Sequence, residues 1–234
     1  MSERIATGEL RNGGNFYARY LRVGDLPIIM ELQKKVVKTL PHSDVLEPLT
    51  TDEFTNILED KQMMIGVFVE NNLIAFRAML APENDDEGLG ADVGLRQEDF
   101  QRIMYSEISN VDPAFRGNGL QTYMGKLLLR NVDQNHYRYL LSTVAPFNFP
   151  SLKDKFALGM KIAVLKEKYN GKLRYVFMKD LASKETEHQS EEYVEVTMDN
   201  IAKQQEVLKS GYYGVSIREA ENKVYVRFEK TVHD

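Results

Sequence analysis

The sequence predicts an α/β protein: one mixed sheet with flanking helices, followed by a small β-α-β-β unit near the C-terminal end. Short runs that are apolar, or that alternate polar and apolar residues, recur along the chain and are typical of strands. Longer segments between them repeat apolar residues at helical spacing. In the stretch 105–130 a strand, a glycine turn and a helix are predicted in direct succession, and the other elements are expected to assemble around them.

Composition excludes several classes of protein. The 234 residues include no cysteine and four histidines, and the formal net charge is −5. Without cysteine there are no disulfides, no thiolate zinc sites and no cysteine nucleophile, which fits a cytoplasmic protein. The negative charge argues against nucleic-acid binding, and no apolar run suits a membrane span or a signal peptide. The histidines lack metal-binding spacing, so we expect no metal site.

The first part of the chain is predicted to mix strands and helices. Residues 1–15 contain two adjacent glycines and are predicted to be a loose start. The elements expected after them are a strand at 16–23, helices at 26–40 and 51–60, and strands at 63–69 and 73–80. Asp25 is predicted to cap the first helix. The acidic segment 83–88 is predicted to be a solvated loop, with binding of calcium or a basic substrate as the alternative.

The remaining elements predict a main domain followed by a tail. They are a strand at 137–144, a helix at 150–158, strands at 160–165 and 173–179, a strand at 193–197, a helix at 199–209, and strands at 212–217 and 223–228. The polar segment 182–191 predicts a linker between a main domain, 1–181, and an extension, 192–234. The extension is too small to be stable alone, so we expect it to dock on the main domain or on a second subunit, with a homodimer favoured.

The sequence RGNG at 116–119 lies between the predicted strand 105–111 and the predicted helix 120–130. A helix N-terminus directs free N–H groups at an anion, and glycine lets the backbone approach a phosphate closely. Arg116 adds a fixed positive charge with several donors. The pattern predicts a phosphate-binding turn; the alternative, for this segment alone, is an ordinary surface turn.

This segment resembles motif A of the GNAT superfamily of acyl-CoA N-acyltransferases, in which a strand ending in V-x-P is followed by Q/R-x-x-G-x-G/A. Here V-D-P stands at 111–113 and R-G-N-G-L-Q at 116–121, with Gln121 where the family usually has Gly or Ala. The sequence N-F-P-S at 148–151 is similar to the family's second signature. The resemblance covers residues 16–181 and implies the GNAT fold.

The resemblance implies an N-acetyltransferase that moves an acetyl or other short acyl group from coenzyme A to an amine by direct attack. Acetyl-CoA is then the cosubstrate, the acceptor is a small-molecule or peptide amine, and no metal takes part. The residues implied to bind the cosubstrate are Val111, Arg116, Gly117, Asn118, Gly119, Leu120, Gln121, Asn148 and Ser151. For Asn148 the alternative is an ordinary helix N-cap.

The resemblance also implies three groups that act in catalysis. Glu107 is the candidate general base, with an exposed strand residue or an ion-pair partner as the alternative. The backbone N–H of Val111 is the candidate oxyanion donor, beside a slot where the strands 105–111 and 137–144 part. Lys155 stands where many family members have the tyrosine that protonates the leaving thiolate, and the alternative is a solvated helix lysine.

Further hypotheses concern the acceptor and turnover. His42 lies between the first two predicted helices and is a candidate substrate contact, although a lone loop histidine is more often merely exposed. Because the usual tyrosine is missing, a catalytically silent GNAT-fold protein that binds acyl-CoA, as a sensor or interaction partner, is the alternative function. A nucleotide-binding module is disfavoured because no G-K-[ST] follows the glycines.

Overall fold

The computed structural model describes residues 3–40, 42, 45–60, 62–83, 85, 88–183 and 192–230. The chain forms two compact units, one of Met1–Ala81 with Ser106–Val132 and one of Pro82–Tyr105 with Asp133–Asp234. In the predicted linker, residues 184–191 lie outside the described residues. The division into 1–181, 182–191 and 192–234 stays a prediction.

Strands and helices together give the predicted α/β class. The strands are β1 Arg4–Glu9, β2 Asn15–Tyr20, β3 Met64–Val69, β4 Asn72–Leu80, β5 Ile103–Val111, β6 Tyr139–Val144, β7 Lys161–Lys168, β8 Lys172–Asp180, β9 Tyr193–Thr197, β10 Tyr212–Ala220 and β11 Lys223–Lys230. The helices are α1 Leu26–Val37, α2 Thr51–Glu59, α3 Leu89–Asp92, α4 Leu120–Asn131, α5 Phe149–Ala157 and α6 Ile201–Lys209. Among the described residues, no helix has the length and apolar character needed to cross a membrane.

The sheet of the first unit contains an antiparallel meander of β1, β2, β3 and β4. The predicted loose start is wrong, because β1 pairs with β2. The sequence of β1 has little regular alternation, so its partner strand rather than its own pattern defines it. Gly8 lies opposite Phe16, and a Cβ at Gly8 would come within 2.4 Å of the Phe16 ring. Glycine is needed there because the ring lies directly over it.

Helices α1 and α2 close the core of the first unit. Their apolar side chains form one buried cluster with Phe76 and Ala78 of β4 and Ile108 of β5. The chain enters α1 differently from the prediction, because Asp25 occupies the N-cap position but makes no cap hydrogen bond. Its carboxylate instead pairs with the guanidinium of Arg19 at 2.7 Å, and this hydrogen bond lowers the pKa of Asp25.

The sheet of the second unit begins with the first residues of β5. The backbone of Ile103 to Tyr105 pairs in parallel with that of Tyr139 to Leu141 in β6. The order then continues as β6, β8, β7, β10, β11 and β9, with antiparallel neighbours. A parallel pair beside antiparallel ones gives the mixed sheet that the sequence predicts.

The C-terminal β-α-β-β unit is confirmed, and it docks within its own chain. Gly214 of β10 pairs with Ile162 of β7, which adds the tail to the second unit's sheet. Helix α6 contributes Gln204, which is fully buried and accepts a hydrogen bond of 2.7 Å from the hydroxyl of Tyr175 on β8. The Gln204 amide nitrogen donates to the carbonyl of Met198 at 2.8 Å. The tail thus shares a buried polar network with the strands before it.

The acidic segment 83–88 is not simply a solvated loop. Asp85 is 1% exposed, and its carboxylate accepts hydrogen bonds from the Tyr105 hydroxyl and the Gly90 N–H. Burial raises the pKa of this carboxyl. Residues 84, 86 and 87 lie outside the described residues. The described part of the segment is therefore anchored to β5 and α3 by a buried carboxylate.

Candidate functional site

The predicted phosphate-binding turn connects β5 to α4 within the first unit. After a 3-10 turn at Pro113–Phe115, Arg116 is extended, and Gly117 and Gly119 have φ angles of +81° and +71°. Residues with a Cβ rarely adopt such angles, so both positions favour glycine. Gly119 is the N-cap of α4, and its carbonyl accepts a hydrogen bond from the Tyr123 N–H at 3.0 Å.

The N-terminal end of α4 has no side-chain cap. Gly119 has no side chain, so the oxygen that Ser, Thr, Asp or Asn would supply to the first turn is missing. A Cβ built at Gly117 or Gly119 would meet no described atom within 4 Å, so the space beside the turn is open. An uncapped helix N-terminus with an open approach suits an anion. The turn is therefore a candidate site for an anionic group such as a phosphate.

Side chains of the first unit hold the turn in place. The buried carboxylate of Asp112 accepts hydrogen bonds from the Lys35 ammonium at 2.6 Å and from the Ala114 N–H at 3.0 Å. The Asn118 side chain accepts from the Arg11 N–H at 2.9 Å and donates to the Phe115 carbonyl at 2.9 Å. These contacts anchor the residue that precedes the turn and the residue between its two glycines.

Arg116 is exposed, and its guanidinium donates to the Thr39 hydroxyl at 2.8 Å, just beyond α1. This contact uses one of the several N–H donors of a guanidinium. Because the side chain is at the surface, it remains available to an anion that approaches the turn. Sequence reasoning does not find the supporting roles of Lys35 and Thr39, since nothing in the local pattern links α1 to a turn so much later in the chain.

A buried arginine supports the first turn of α4. Arg77 of β4 is fully buried, and its guanidinium donates to the Gln121 carbonyl at 3.0 Å and to the Ser106 hydroxyl at 2.7 Å. The side chain of Gln121, which departs from the small residue of the motif, is half-buried. The one sequence signal for Arg77 is a charged residue within the apolar run 73–80.

Glu107 and Val111 lie on β5, which leads into the turn. Glu107 is half-buried, and its pKa is raised by burial and by the nearby carboxylate of Glu53 on α2. A glutamate with a raised pKa is a better proton acceptor than an exposed one. Val111 is the last residue of β5 and is half-buried. The first unit thus brings Glu107, Val111 and residues 116–121 together along one strand and its following turn.

Asn148, Ser151 and Lys155 belong to the second unit, at α5. Asn148 is the N-cap of α5, and its side chain accepts a hydrogen bond from the Ser151 N–H at 3.4 Å. Lys155 is 6% exposed, and its ammonium pairs with Asp154 at 3.2 Å. The alternative of a solvated lysine is therefore wrong. Periodicity does not predict this, because two adjacent charged residues are both buried on a short helix.

The remaining predicted site residue, His42, is exposed between α1 and α2, and its carbonyl accepts a hydrogen bond from the Val45 N–H at 3.4 Å. Within the described part of the chain, no hydrogen bond joins it to the turn or to Glu107. Over the same residues, no group of three or more His, Asp or Glu side chains is arranged to hold a metal ion.

Solved structures that share this fold include several acetyltransferases. No protein-family model matches the chain, and no curated protein matches its sequence. An N-acetyltransferase from Staphylococcus aureus Mu50 superposes with a TM-score of 0.54 at 19% identity, covering 72% of this chain and 99% of its own. An acetyltransferase of the GNAT family from Streptococcus pneumoniae gives 0.54 at 15% identity, covering 71% and 99%.

A third structure, yncA from Salmonella typhimurium, was solved with its cofactor acetyl-CoA. It has a TM-score of 0.53 at 15% identity and covers 76% of this chain and 98% of its own. These structures share the fold with this chain at identities too low to transfer an activity. The chain has the GNAT acetyltransferase fold, as the resemblance in its two motifs implied.

Proposed function

We propose that this GNAT-fold chain is an acyl-CoA-dependent N-acetyltransferase acting on a small-molecule or peptide amine. The observation that carries the proposal is the N-terminal end of α4. It has no side-chain cap, it is open to solvent, and it follows two glycines with positive φ angles. The sequence of the turn resembles the family's motif A, which binds pyrophosphate, and one solved structure of the same fold contains acetyl-CoA. Arg116 and the N–H groups around Gly117 and Gly119 would hold the pyrophosphate.

Acetyl-CoA, when bound, supplies an activated acyl thioester. The chain's own groups would do three things for the transfer. The carboxylate of Glu107, directly or through a water molecule, would take a proton from the acceptor amine. The Val111 N–H would donate a hydrogen bond to the oxyanion that develops on the carbonyl. The ammonium of Lys155 would protonate the leaving thiolate; its role, like those of Asn148 and Ser151, is the part of the proposal carried by family resemblance alone.

The first experiment is calorimetric titration of acetyl-CoA, CoA and ATP into the wild type and an Arg116→Ala, Gly119→Trp double variant. We expect acetyl-CoA and CoA to bind the wild type, and affinity to fall by at least about 100-fold in the variant, which corresponds to about 2.7 kcal/mol. ATP is expected to bind more weakly than CoA.

A matched control comes from the second unit. Gly171 also has a positive φ, of +86°, and a Cβ there would also meet no described atom within 4 Å. Arg96, like Arg116, is exposed. The Arg96→Ala, Gly171→Trp double variant should fold and bind acetyl-CoA as the wild type does. Absence of CoA and acetyl-CoA binding to the wild type would overturn the proposal.

Turnover separates the enzyme from the catalytically silent alternative. Acetyl-CoA is incubated with the wild type and a panel of amines, and release of free CoA is measured with a thiol reagent. The protein's lack of cysteine removes the usual background of that assay. Amine-dependent thiol release supports the transferase. Binding of acetyl-CoA without release for any amine would favour a sensor.

A further inference from the structure

Asn110 has a buried side-chain amide that lacks hydrogen bonds to the described part of the chain. The residue lies on β5, next to Val111, and is only 1% exposed. Neither its side-chain oxygen nor its side-chain nitrogen has a partner among the described residues. Buried amides are normally bonded, because leaving a donor and an acceptor unsatisfied is costly. A residue kept in that condition is a candidate for binding a ligand that completes it.

The contacts of Ser106 and Ile108 show that the side-chain alternation of β5 is interrupted between them. Side chains two residues apart on a regular strand point to the same face. Ser106, however, bonds to Arg77, which reaches α4, whereas Ile108 packs in the cluster with α1 and α2. The side of the sheet on which the Asn110 side chain lies must therefore be inferred from residues after the interruption.

Those residues place Asn110 on the face of α1 and α2. Ile108, two residues before it, packs with both helices. Asp112, two residues after it, accepts a hydrogen bond from Lys35 of α1. Because Asn110 lies midway between them, its side chain shares their face of the sheet, opposite α4.

The proposed groups of the transfer reaction lie close to this amide. Glu107, whose pKa responds to Glu53 of α2, precedes Asn110 by three residues, or roughly 10 Å along a strand. The proposed oxyanion donor, Val111, is the adjacent residue. A ligand group that reaches Asn110 is therefore near the proposed site of transfer, on the face opposite α4, and is assigned to the acceptor.

The chemistry of the amide restricts the acceptor. A primary amide offers a carbonyl acceptor and an N–H donor side by side, so its best partner also carries a donor and an acceptor side by side. An alkylammonium ion supplies only donors, whereas an amino acid amide or the N-terminal residue of a peptide supplies a donor and an acceptor beside its amine. A site built to hydrogen-bond such groups rejects analogues that lack them.

We propose that Asn110 is a specificity-determining residue whose side-chain amide binds the amide group of the acceptor, so that the preferred acceptor is an amine adjacent to an amide carbonyl. The inference rests on the proposed function for its setting. The family resemblance assigns no role to this side chain.

The test compares Asn110→Leu with Gln33→Leu. Gln33 is also a buried amide of the first unit, but it is satisfied: it donates to the Leu49 carbonyl at 2.8 Å and accepts from the Leu49 N–H at 3.0 Å. Removing the amide at Gln33 should lower the melting temperature. Removing it at Asn110 should leave the melting temperature unchanged or raise it, because an unsatisfied amide is replaced by an apolar group.

Ligand binding is then read by thermal shift with two probes, alanine amide and propylamine. Alanine amide should stabilise the wild type and lose that effect in Asn110→Leu, while propylamine acts equally on both proteins. In the acetyl-transfer assay, the wild type should prefer alanine amide by about tenfold or more in kcat/KM, and the variant should lose the preference. The affinity for acetyl-CoA should be the same in both proteins.

Three results would overturn the inference. One is a decrease in melting temperature for Asn110→Leu that is as large as the decrease for Gln33→Leu. This result would show that a buried water already satisfies the Asn110 amide. Another is equal stabilisation of wild type and variant by alanine amide. The third is transfer to both amines with no preference in the wild type. The first two do not depend on whether acetyl-CoA binds, and calorimetry detects a failure of the proposed function separately.

Discussion

Helices α4 and α5 begin in opposite ways. At α5 the side chain of Asn148 accepts a hydrogen bond from the Ser151 N–H, so the helix end is closed by its own chain. At α4 the N-cap is Gly119, which has no side chain to offer. Helix α2 is closed as well, by a capping box formed by Thr50 and Glu53. Helices α1 and α3 also lack a side-chain cap, but α4 is the uncapped helix that directly follows two glycines with positive φ angles.

The largest expected effect comes from placing a charge at the open end. Gly119→Asp puts a carboxylate where the proposed pyrophosphate binds, and Asp tolerates the left-handed conformation better than most residues. We expect the Kd of acetyl-CoA, measured by calorimetry, to rise by at least about 100-fold, or about 2.7 kcal/mol. The matched control, Gly171→Asp, should bind normally; equal weakening in both would point to general strain.

Glu107→Gln tests the strand that leads into the open helix. Removing a general base should lower kcat/KM by about 100-fold or more, with little change in the affinity for acetyl-CoA. Activity of the wild type should fall as pH falls through the raised pKa of Glu107, and the variant should lose that acid limb. An unchanged rate and pH profile would remove Glu107 from the mechanism.

Although Glu107→Gln should lower activity, it should raise the stability of the fold at neutral pH. A carboxyl whose folded-state pKa is raised stabilises the fold below its unfolded pKa, and this contribution is lost as pH rises through the folded value. At neutral pH the buried carboxylate therefore destabilises the folded state, and Gln removes that destabilisation. Glu107→Gln should raise the melting temperature at pH 7, with the gain shrinking in acid; a lower melting temperature at pH 7 would contradict the burial argument.

The closed end at α5 is tested by Asn148→Ala and Asn148→Asp. The first should lower the free energy of unfolding by about 1 kcal/mol through loss of the cap, and the second should retain it. If the amide also donates to the cosubstrate, Asp will bind acetyl-CoA less tightly although its stability is normal. Asn200 caps α6 in the same way, accepting from the Lys203 N–H at 3.2 Å, so Asn200→Ala controls for cap loss alone.

The smallest effect is expected at α2. Glu53→Gln keeps a residue that can complete the capping box, so stability should change little. It removes the negative charge that helps to raise the pKa of Glu107. The acid limb of the pH–rate profile should move to lower pH in this variant. Movement to higher pH, or none in a profile that Glu107→Gln abolishes, would show that Glu53 does not influence the base.

The fold was predictable wherever a short segment contains its own signal. The strands predicted at 63–69 and 73–80, the turn at Gly117 and Gly119, and the N-cap that was the alternative role of Asn148 all depend on local residues, and all are present. By contrast β1 was missed, because its strand state depends on pairing with β2. Tertiary pairing decides such weakly patterned strands.

The candidate site was only partly predictable for the same reason. The glycines and Arg116 follow from a local motif, but the ion pair of Asp112 with Lys35 joins residues far apart in sequence. Burial was equally hidden: Lys155 and Asp154 look like a solvated pair, and Asn110 looks like an ordinary polar strand residue. The residues next to a side chain in sequence do not determine what surrounds it in the folded structure.

The hydrogen bond between Tyr175 and Gln204 limits where this protein can be truncated without destabilising it. An expression design that stops at residue 181, to isolate a minimal GNAT-fold domain, would delete Gln204 and leave the fully buried Tyr175 hydroxyl without its acceptor. It would also uncover the edge of β7 that β10 now pairs with. Such a fragment should aggregate unless Tyr175→Phe and a charged edge residue are introduced with the truncation.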